Sequence, residues 1–210
     1  KWTNPWGEHS YYEDVELRED GGTPPFLQTI KAALAVKLKE EIGVRKIRSR
    51  EEEITKRVYA GLKRIKNLHL LAENIEDRLP VISFYIDNMH YNLGVKILND
   101  RFGIQVRGGC SCAGTYGHYL LHVSKQESHK ITSMIEHDDL SAKPGWIRMS
   151  LHPIMTNEEI DIILDAIEEL SENHEEWKAD YTYDPHNNYF IHTSAPESEK
   201  QMVTGWFEKL

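Results

Sequence analysis

The residues best suited to chemistry lie in a glycine-rich segment, residues 106–115, which holds both cysteines of the chain. Cys110 and Cys112 are separated by one serine, and the neighbouring glycines allow a ligand to approach the backbone closely. Arg107 lies three residues before Cys110, where its charge favours a thiolate and lowers a thiol pKa below the ordinary value of about 8.5. Two interpretations are open: a reactive thiolate on a loop, or two buried cysteines that act as small apolar residues.

The same segment also permits a metal site. Cys110, Cys112, His118 and His122 follow the spacing C-x-C-x5-H-x3-H, and thiolates and imidazoles are the ligands that zinc prefers. The two cysteines are closer together than in the usual zinc knuckle, and the eleven histidines of the chain make a chance pair common. The alternative function is therefore a non-catalytic zinc-binding module.

Two further segments could bind an anion. Arg148 lies in a predicted strand, and a strand arginine either meets a carboxylate of the protein or of a ligand, or lies exposed at a strand edge. The turn Gly22-Thr23-Pro24 precedes a predicted helix, where free backbone amides and the helix dipole attract negative charge.

Hydrophobic periodicity predicts the elements that position these residues. Apolar residues at helical spacing indicate five helices, and short β-branched or aromatic runs indicate four strands. We expect an α+β domain, a few-stranded sheet covered by helices mainly on one side. Residues 1–26 are expected to be a connector, 27–177 the domain and 178–210 an irregular tail. The predicted helices start after Thr23 as cap, at Ser49, near Leu93, after Ser124 and at Thr156, and the predicted strands are 68–71, 81–86, 104–106 and 146–151.

Composition narrows the class of protein. With 210 residues and 40% hydrophobic residues the chain can form a core, and 34 acidic against 25 basic residues give a net charge of −9. This charge argues against a general nucleic-acid or anionic-membrane surface. No apolar run approaches the roughly 18 residues of a membrane span. Two cysteines so close together cannot stabilise a secreted scaffold, which predicts the cytoplasm.

In order along the chain, four motifs resemble the C-terminal part of the class V aminotransferase family, which includes the cysteine desulfurases. The resemblance runs from about residue 14 to residue 170. It implies the small C-terminal domain of a fold type I transferase that depends on pyridoxal phosphate, acts on an amino acid and forms a homodimer. The motifs are Gly22-Thr23-Pro24, the loop 106–113, Arg148 with Ser150, and Thr156-Asn157-Glu158-Glu159.

The resemblance also implies roles for individual residues. Cys112 matches the persulfide-forming nucleophile of the desulfurases, and Arg148 matches the arginine that binds the substrate α-carboxylate. Arg107 matches the arginine of the cysteine loop and is assigned to the substrate, while Thr23 matches the threonine that reaches the cofactor phosphate of the partner subunit. Ser111 stands where desulfurases commonly have histidine, which leaves desulfuration and transamination both open.

The lysine that binds the cofactor covalently in this family has no counterpart before the Gly22-Thr23-Pro24 turn. Ser128-His129-Lys130 has similar residue types, but it lies far downstream on a predicted helix, and we expect Lys130 to be a surface residue. The chain also begins at Lys1, which suggests a cut inside a longer protein. We therefore expect the substrate-side portion of an enzyme, inactive without the part that carries the lysine.

Overall fold

The computed structural model describes residues 1–75, 77–110, 113–194 and 196–208, which divide into two units, 1–47 and 48–210. The first unit contains the short antiparallel strands β1 (Trp2–Thr3) and β2 (His9–Ser10), followed by the helices α1 (Val15–Glu19) and α2 (Phe26–Ile42). None of the α2 residues is buried.

The prediction that Thr23 caps α2 is wrong. Pro25 occupies the cap position and makes no side-chain hydrogen bond, and the first free amide, that of Phe26, donates to the carbonyl of Pro24 at 2.8 Å. Two consecutive prolines carry no N–H group, so a threonine hydroxyl has few donors to accept from at this helix start. The predicted end at Gly43 is confirmed, since its φ of 92° suits glycine.

Helix α3 (Val44–Leu62) begins five residues before the predicted start at Ser49, so the capping box that Ser49 and Glu52 were expected to form is absent. The carbonyl of Gly43 accepts hydrogen bonds from the amides of Lys46 and Ile47, at 3.0 and 3.1 Å, which starts the new helix immediately. Its predicted apolar face is nevertheless buried, through Ile54, Val58 and Leu62.

A four-stranded antiparallel sheet forms the centre of the second unit. Its strands are β3 (Leu68–Leu70), β4 (Val81–Ile86), β5 (Arg107–Gly109) and β6 (Trp146–Ser150), in the spatial order β3-β4-β6-β5. Along β4 the residues Ile82, Phe84 and Ile86 are buried, whereas Ser83 and Tyr85 between them are half-buried. This alternation means that the sheet buries one face more deeply than the other.

Helices cover the deeply buried face, which confirms the predicted α+β class. Besides α3, the covering helices are α4 (Tyr91–Phe102) and α7 (Asn157–Trp177). Two shorter helices, α5 (Gly114–Leu120) and α6 (Lys125–Glu136), lie between β5 and β6 in the chain. The helices predicted to start after Ser124 and at Thr156 are both present, and each begins with a capping box. The core residues contributed by sheet and helices include Phe84, Ile82, Ile147, Met149, Ile97, Leu98, Ile160, Ile167 and Leu170.

Two predicted boundaries in this unit are wrong. The strand expected at 104–106 forms at Arg107–Gly109, because glycine lets this strand lie against α4: a Cβ at Gly108 would be 2.5 Å from the Oδ1 of Asn92. Helix α7 continues seven residues beyond 170, since Ser171 and His174 are buried, and Asn67 hydrogen-bonds to both the hydroxyl and the carbonyl of Ser171.

The segment 178–210, expected to be irregular, is folded where the structure describes it. A 3-10 turn (Lys178–Asp180) leads into the antiparallel hairpin β7 (Tyr181–Asp184) and β8 (Tyr189–His192), and helix α8 (Pro196–Phe207) follows. Tyr181 and Phe190 enter the core of the second unit.

No helix among the described ranges is long and apolar enough to cross a membrane.

His90 connects the start of α4 to the C-terminal hairpin. Its Nδ1 accepts a hydrogen bond from the amide of Asn92 at 3.1 Å and so caps the helix. The ring lies 4.5 Å from the ring of Tyr91, 5.2 Å from Tyr183 and 5.4 Å from Phe190, and its Nε2 is buried with no hydrogen-bond partner among the described residues. Burial lowers the pKa of His90.

We expect His90 to make folding stability depend on pH. Because the folded state lowers the pKa of His90, the unfolded chain binds a proton more readily, and the free energy of unfolding falls as pH decreases below about 6.5. In His90→Asn, which keeps a capping side chain but does not titrate, urea unfolding at pH 7.5, 6.5 and 5.5 should show a smaller loss. The exposed control His129→Asn should behave as wild type, and equal pH slopes in wild type and His90→Asn would contradict the expectation.

Candidate functional site

Two arginines face each other across neighbouring strands. In the ladder between β5 and β6, Arg107 lies directly opposite Arg148, and Arg148 is also opposite Ser83 of β4. Directly opposed residues of antiparallel strands project from the same face. Since Ile147 and Met149 on either side of Arg148 are buried in the core, all three polar side chains lie on the face away from the core helices.

The electrostatics of this pair favour an anion. Arg107 is exposed and Arg148 is half-buried, and the Nε of Arg148 is buried without a hydrogen-bond partner in the described part of the chain. Like charges directly opposite each other destabilise a sheet, and an unsatisfied buried N–H group adds a further cost. A carboxylate bound between the guanidinium groups would relieve both costs, because it accepts two parallel hydrogen bonds from one guanidinium group.

Cys110 follows β5 immediately and is held as a thiol. Its Sγ donates to the carbonyl oxygen of Pro144 at 2.7 Å. Burial raises the pKa of Cys110, and the nearby charge of Lys143 opposes this only in part. Cys110 thus matches the interpretation of a partly buried, unreactive cysteine.

Cys112, the predicted nucleophile, lies outside the described residues together with Ser111. The structure does describe the residues around them: the amide of Ala113 donates to the carbonyl of Cys110 at 2.9 Å, and α5 begins at the next residue, Gly114. The role of Cys112 therefore stays a prediction.

A cavity of about 520 Å³ lies beside Cys110. Its walls come from the start of α4, the end of β5, α5, α6 and the turn of the C-terminal hairpin. Tyr91, Lys143 and Asn188 line it, and sequence reasoning missed all three, because nothing in their local sequence indicates that they meet near the cysteine segment.

The geometry around His118 bears on the zinc alternative. Its Nδ1 lies 2.7 Å from the carbonyl oxygen of Gly114 and its Nε2 lies 2.8 Å from the hydroxyl of Ser128, so both ring nitrogens have partners within the protein. His122 is exposed. Among the residues that the structure describes, no group of three or more histidine, cysteine or acidic side chains could hold a metal ion, and Cys112 is not one of those residues.

Thr23, expected to contact the cofactor, and Lys130, expected to be a surface residue, lie in different units of the structure. Thr23 belongs to the first unit, where it is exposed in the turn before α2. Lys130 lies exposed on α6 in the second unit, as expected for a surface residue. An exposed helix lysine does not match a covalent pyridoxal phosphate site.

Comparison with known proteins identifies the family. The aminotransferase class-V family model matches residues 4–163. The cysteine desulfurase of Haloferax volcanii is 26% identical over 140 residues, which cover 61% of this chain and 33% of that protein. A protein of Pyrococcus abyssi described as a probable cysteine desulfurase is 30% identical over 168 residues, 75% of this chain and 36% of its own.

The fold agrees with these sequence matches. The apo structure of the cysteine desulfurase from Thermococcus onnurineus superposes with a TM-score of 0.56 and 26% identity, covering 82% of this chain and 37% of that one. The chain thus spans about a third of the length of the relatives that it matches. It belongs to the aminotransferase class-V family, of which it covers a partial region.

Proposed function

We propose that the chain is the substrate-side portion of a cysteine desulfurase-like enzyme that depends on pyridoxal phosphate, and that Arg148, with Arg107, binds the carboxylate of an amino-acid substrate. The observation that carries this proposal is the direct opposition of the two arginines, with the Nε of Arg148 buried and unpartnered among the described residues. The names of the relatives support the choice of amino-acid substrate.

The geometry suits recognition of a planar carboxylate. Arg148 is on β6, a strand paired on both sides by β4 and β5, so its backbone is fixed before a ligand arrives. Its half-burial strengthens a charged hydrogen bond relative to one in water. Arg107 supplies a second positive charge from the neighbouring strand.

The thiol chemistry is assigned to Cys112. The Cys110 thiol donates a hydrogen bond to the carbonyl of Pro144 and has a raised pKa, which leaves the second cysteine of the segment as the candidate nucleophile. In this proposal Arg107 favours the thiolate of Cys112, which attacks the sulfur of a cysteine substrate to form a persulfide. The Cβ–S bond of the substrate breaks, and its electron pair stays on the carbon, which takes up a proton to give alanine.

The complete enzyme is proposed to be a cytoplasmic homodimer in which Thr23 reaches the cofactor phosphate of the partner subunit. Pyridoxal phosphate would supply the electron sink for the reaction. Because Lys130 is an exposed helix residue, the chain by itself is proposed to be inactive.

We expect that the 210-residue chain does not attach pyridoxal phosphate covalently to one particular lysine. The purified chain should be titrated with the cofactor, reduced with borohydride and digested for peptide mass spectrometry. Labelling should be weak and spread over exposed lysines. The variant Lys130→Arg should therefore leave the total amount of label almost unchanged. Stoichiometric labelling of Lys130 that is lost in this variant would refute the expectation.

In a longer chain that carries the cofactor lysine, Arg148→Lys and Arg148→Ala should lower kcat/KM for the amino acid about ten- to a hundredfold, mainly through KM. Lysine offers a point charge where the carboxylate fits a planar fork, and alanine offers no charge. The control Arg57→Lys alters an exposed ion pair with Asp161 and should leave KM unchanged. Arg148→Lys with wild-type kinetics would remove the carboxylate role.

The same longer chain distinguishes the two thiols. Cys112→Ser should abolish sulfur release from cysteine, whereas Cys110→Ser should retain much of it, because the structure holds Cys110 as a protonated thiol. Sulfide production and amino-acid turnover are measured in parallel for both variants. Full activity in Cys112→Ser towards an amino acid would instead favour transamination.

A further inference from the structure

The C-terminal hairpin lies beyond residue 163, where the match to the family ends. Its turn nevertheless lines the cavity beside Cys110 through Asn188. The turn is also joined to the segment before β6, since the amide of Leu140 donates to the carbonyl of Pro185 at 2.9 Å. The hairpin, which lies outside the family match, thus lines the cavity beside Cys110.

Asn188 forms the principal connection between the hairpin and α4. Its side-chain amide donates to the hydroxyl of Tyr91 at 2.7 Å, and its Oδ1 accepts from the hydroxyl of Tyr183 at 3.0 Å. Its backbone carbonyl accepts a hydrogen bond from the side chain of Asn92. The φ of Asn188 is 56°, a left-handed conformation that asparagine tolerates better than most residues.

The ring of Tyr91, which Asn188 holds through its hydroxyl, packs against the backbone around Cys110. A Cβ at Gly145 would lie 2.5 Å from the ring of Tyr91, and a Cβ at Gly108 would lie 2.9 Å from it. The ring therefore packs directly on two backbone segments, one leading into Cys110 and the other following Pro144. These two segments are joined by the hydrogen bond from the Cys110 thiol to the Pro144 carbonyl.

We propose that Asn188 is a positioning residue for the Cys110 thiol and acts through Tyr91. By holding the Tyr91 hydroxyl, it fixes the ring that sets the separation of Gly108 from Gly145, and so keeps the Cys110 thiol against Pro144. Without this anchor the ring can shift and water can reach the thiol. The link from this packing to catalysis rests on the proposed function.

The test measures thiol reactivity in the chain itself and requires no enzymatic activity. Alkylation of Cys110 by iodoacetamide is followed by peptide mass spectrometry between pH 7 and 10, without denaturant. Asn188→Gly keeps the left-handed backbone but removes both side-chain hydrogen bonds, and Tyr91→Phe keeps the ring but removes its anchor. Asn188→Asp is the conservative variant, since a carboxylate can accept from both tyrosine hydroxyls. Ser171→Ala, which breaks the hydrogen bond to Asn67, is the control for general destabilisation, and urea midpoints are measured for all variants.

We expect Asn188→Gly and Tyr91→Phe to raise the alkylation rate of Cys110 at pH 8 about two- to tenfold, the factor by which loss of one hydrogen bond changes an equilibrium. Their rate profiles should also shift to lower pH, because a hydrated thiol ionises more readily. Asn188→Asp should stay closer to wild type, and Ser171→Ala should leave the rate unchanged despite a lower urea midpoint.

Unchanged rates in both Asn188→Gly and Tyr91→Phe would overturn the proposal, and so would an equal rise in Ser171→Ala. If Asn188→Gly does not fold, Tyr91→Phe decides the question, since it retains the packed ring. Because no turnover is measured, failure of desulfuration and failure of this proposal give different results.

Discussion

Burial of one face of the four-stranded sheet is the constraint on which the rest of the second unit depends. Ile82, Phe84, Ile147 and Met149 must face the helices, and the two-residue period of a strand then directs the residues between them to the other face. A slip of one residue in β6 would exchange these faces and bring Arg148 into the apolar core. The packing that stabilises the domain thereby also determines where its positive charges lie.

Strand β5 takes part in two interactions that shape the site. Its ladder with β6 places the two arginines opposite each other, and its glycines allow α4 to pack closely against it. Glycine is needed at Gly108 because Asn92 and Tyr91 occupy the space of a side chain. Arg107 and Cys110 therefore belong to one strand and its immediate continuation.

Sequence reasoning found the elements with a clear period and missed those defined by distant partners. Strands β4 and β6 and the helix starts at Ser124 and Thr156 could be predicted, because alternation and capping are local signals. Strand β5 could not be located correctly, since glycines carry no pattern, and the opposition of Arg107 and Arg148 depends on a register that the sequence does not display. The hairpin was missed because Tyr183 and Phe190 pack against the distant ring of His90. Its Asn188 also bonds to the hydroxyl of Tyr91, 97 positions away.

The dependence of the cysteine segment on the hairpin has a consequence for synthesis of the chain. Asn188 follows Cys110 by 78 residues, so a ribosome releases the thiols well before the residue that anchors Tyr91. At about 5–20 residues per second this interval lasts roughly 4–16 s. During that time Cys110 lacks the packing that Asn188 completes and is open to oxidants, so synthesis of the hairpin is the step that protects the thiol.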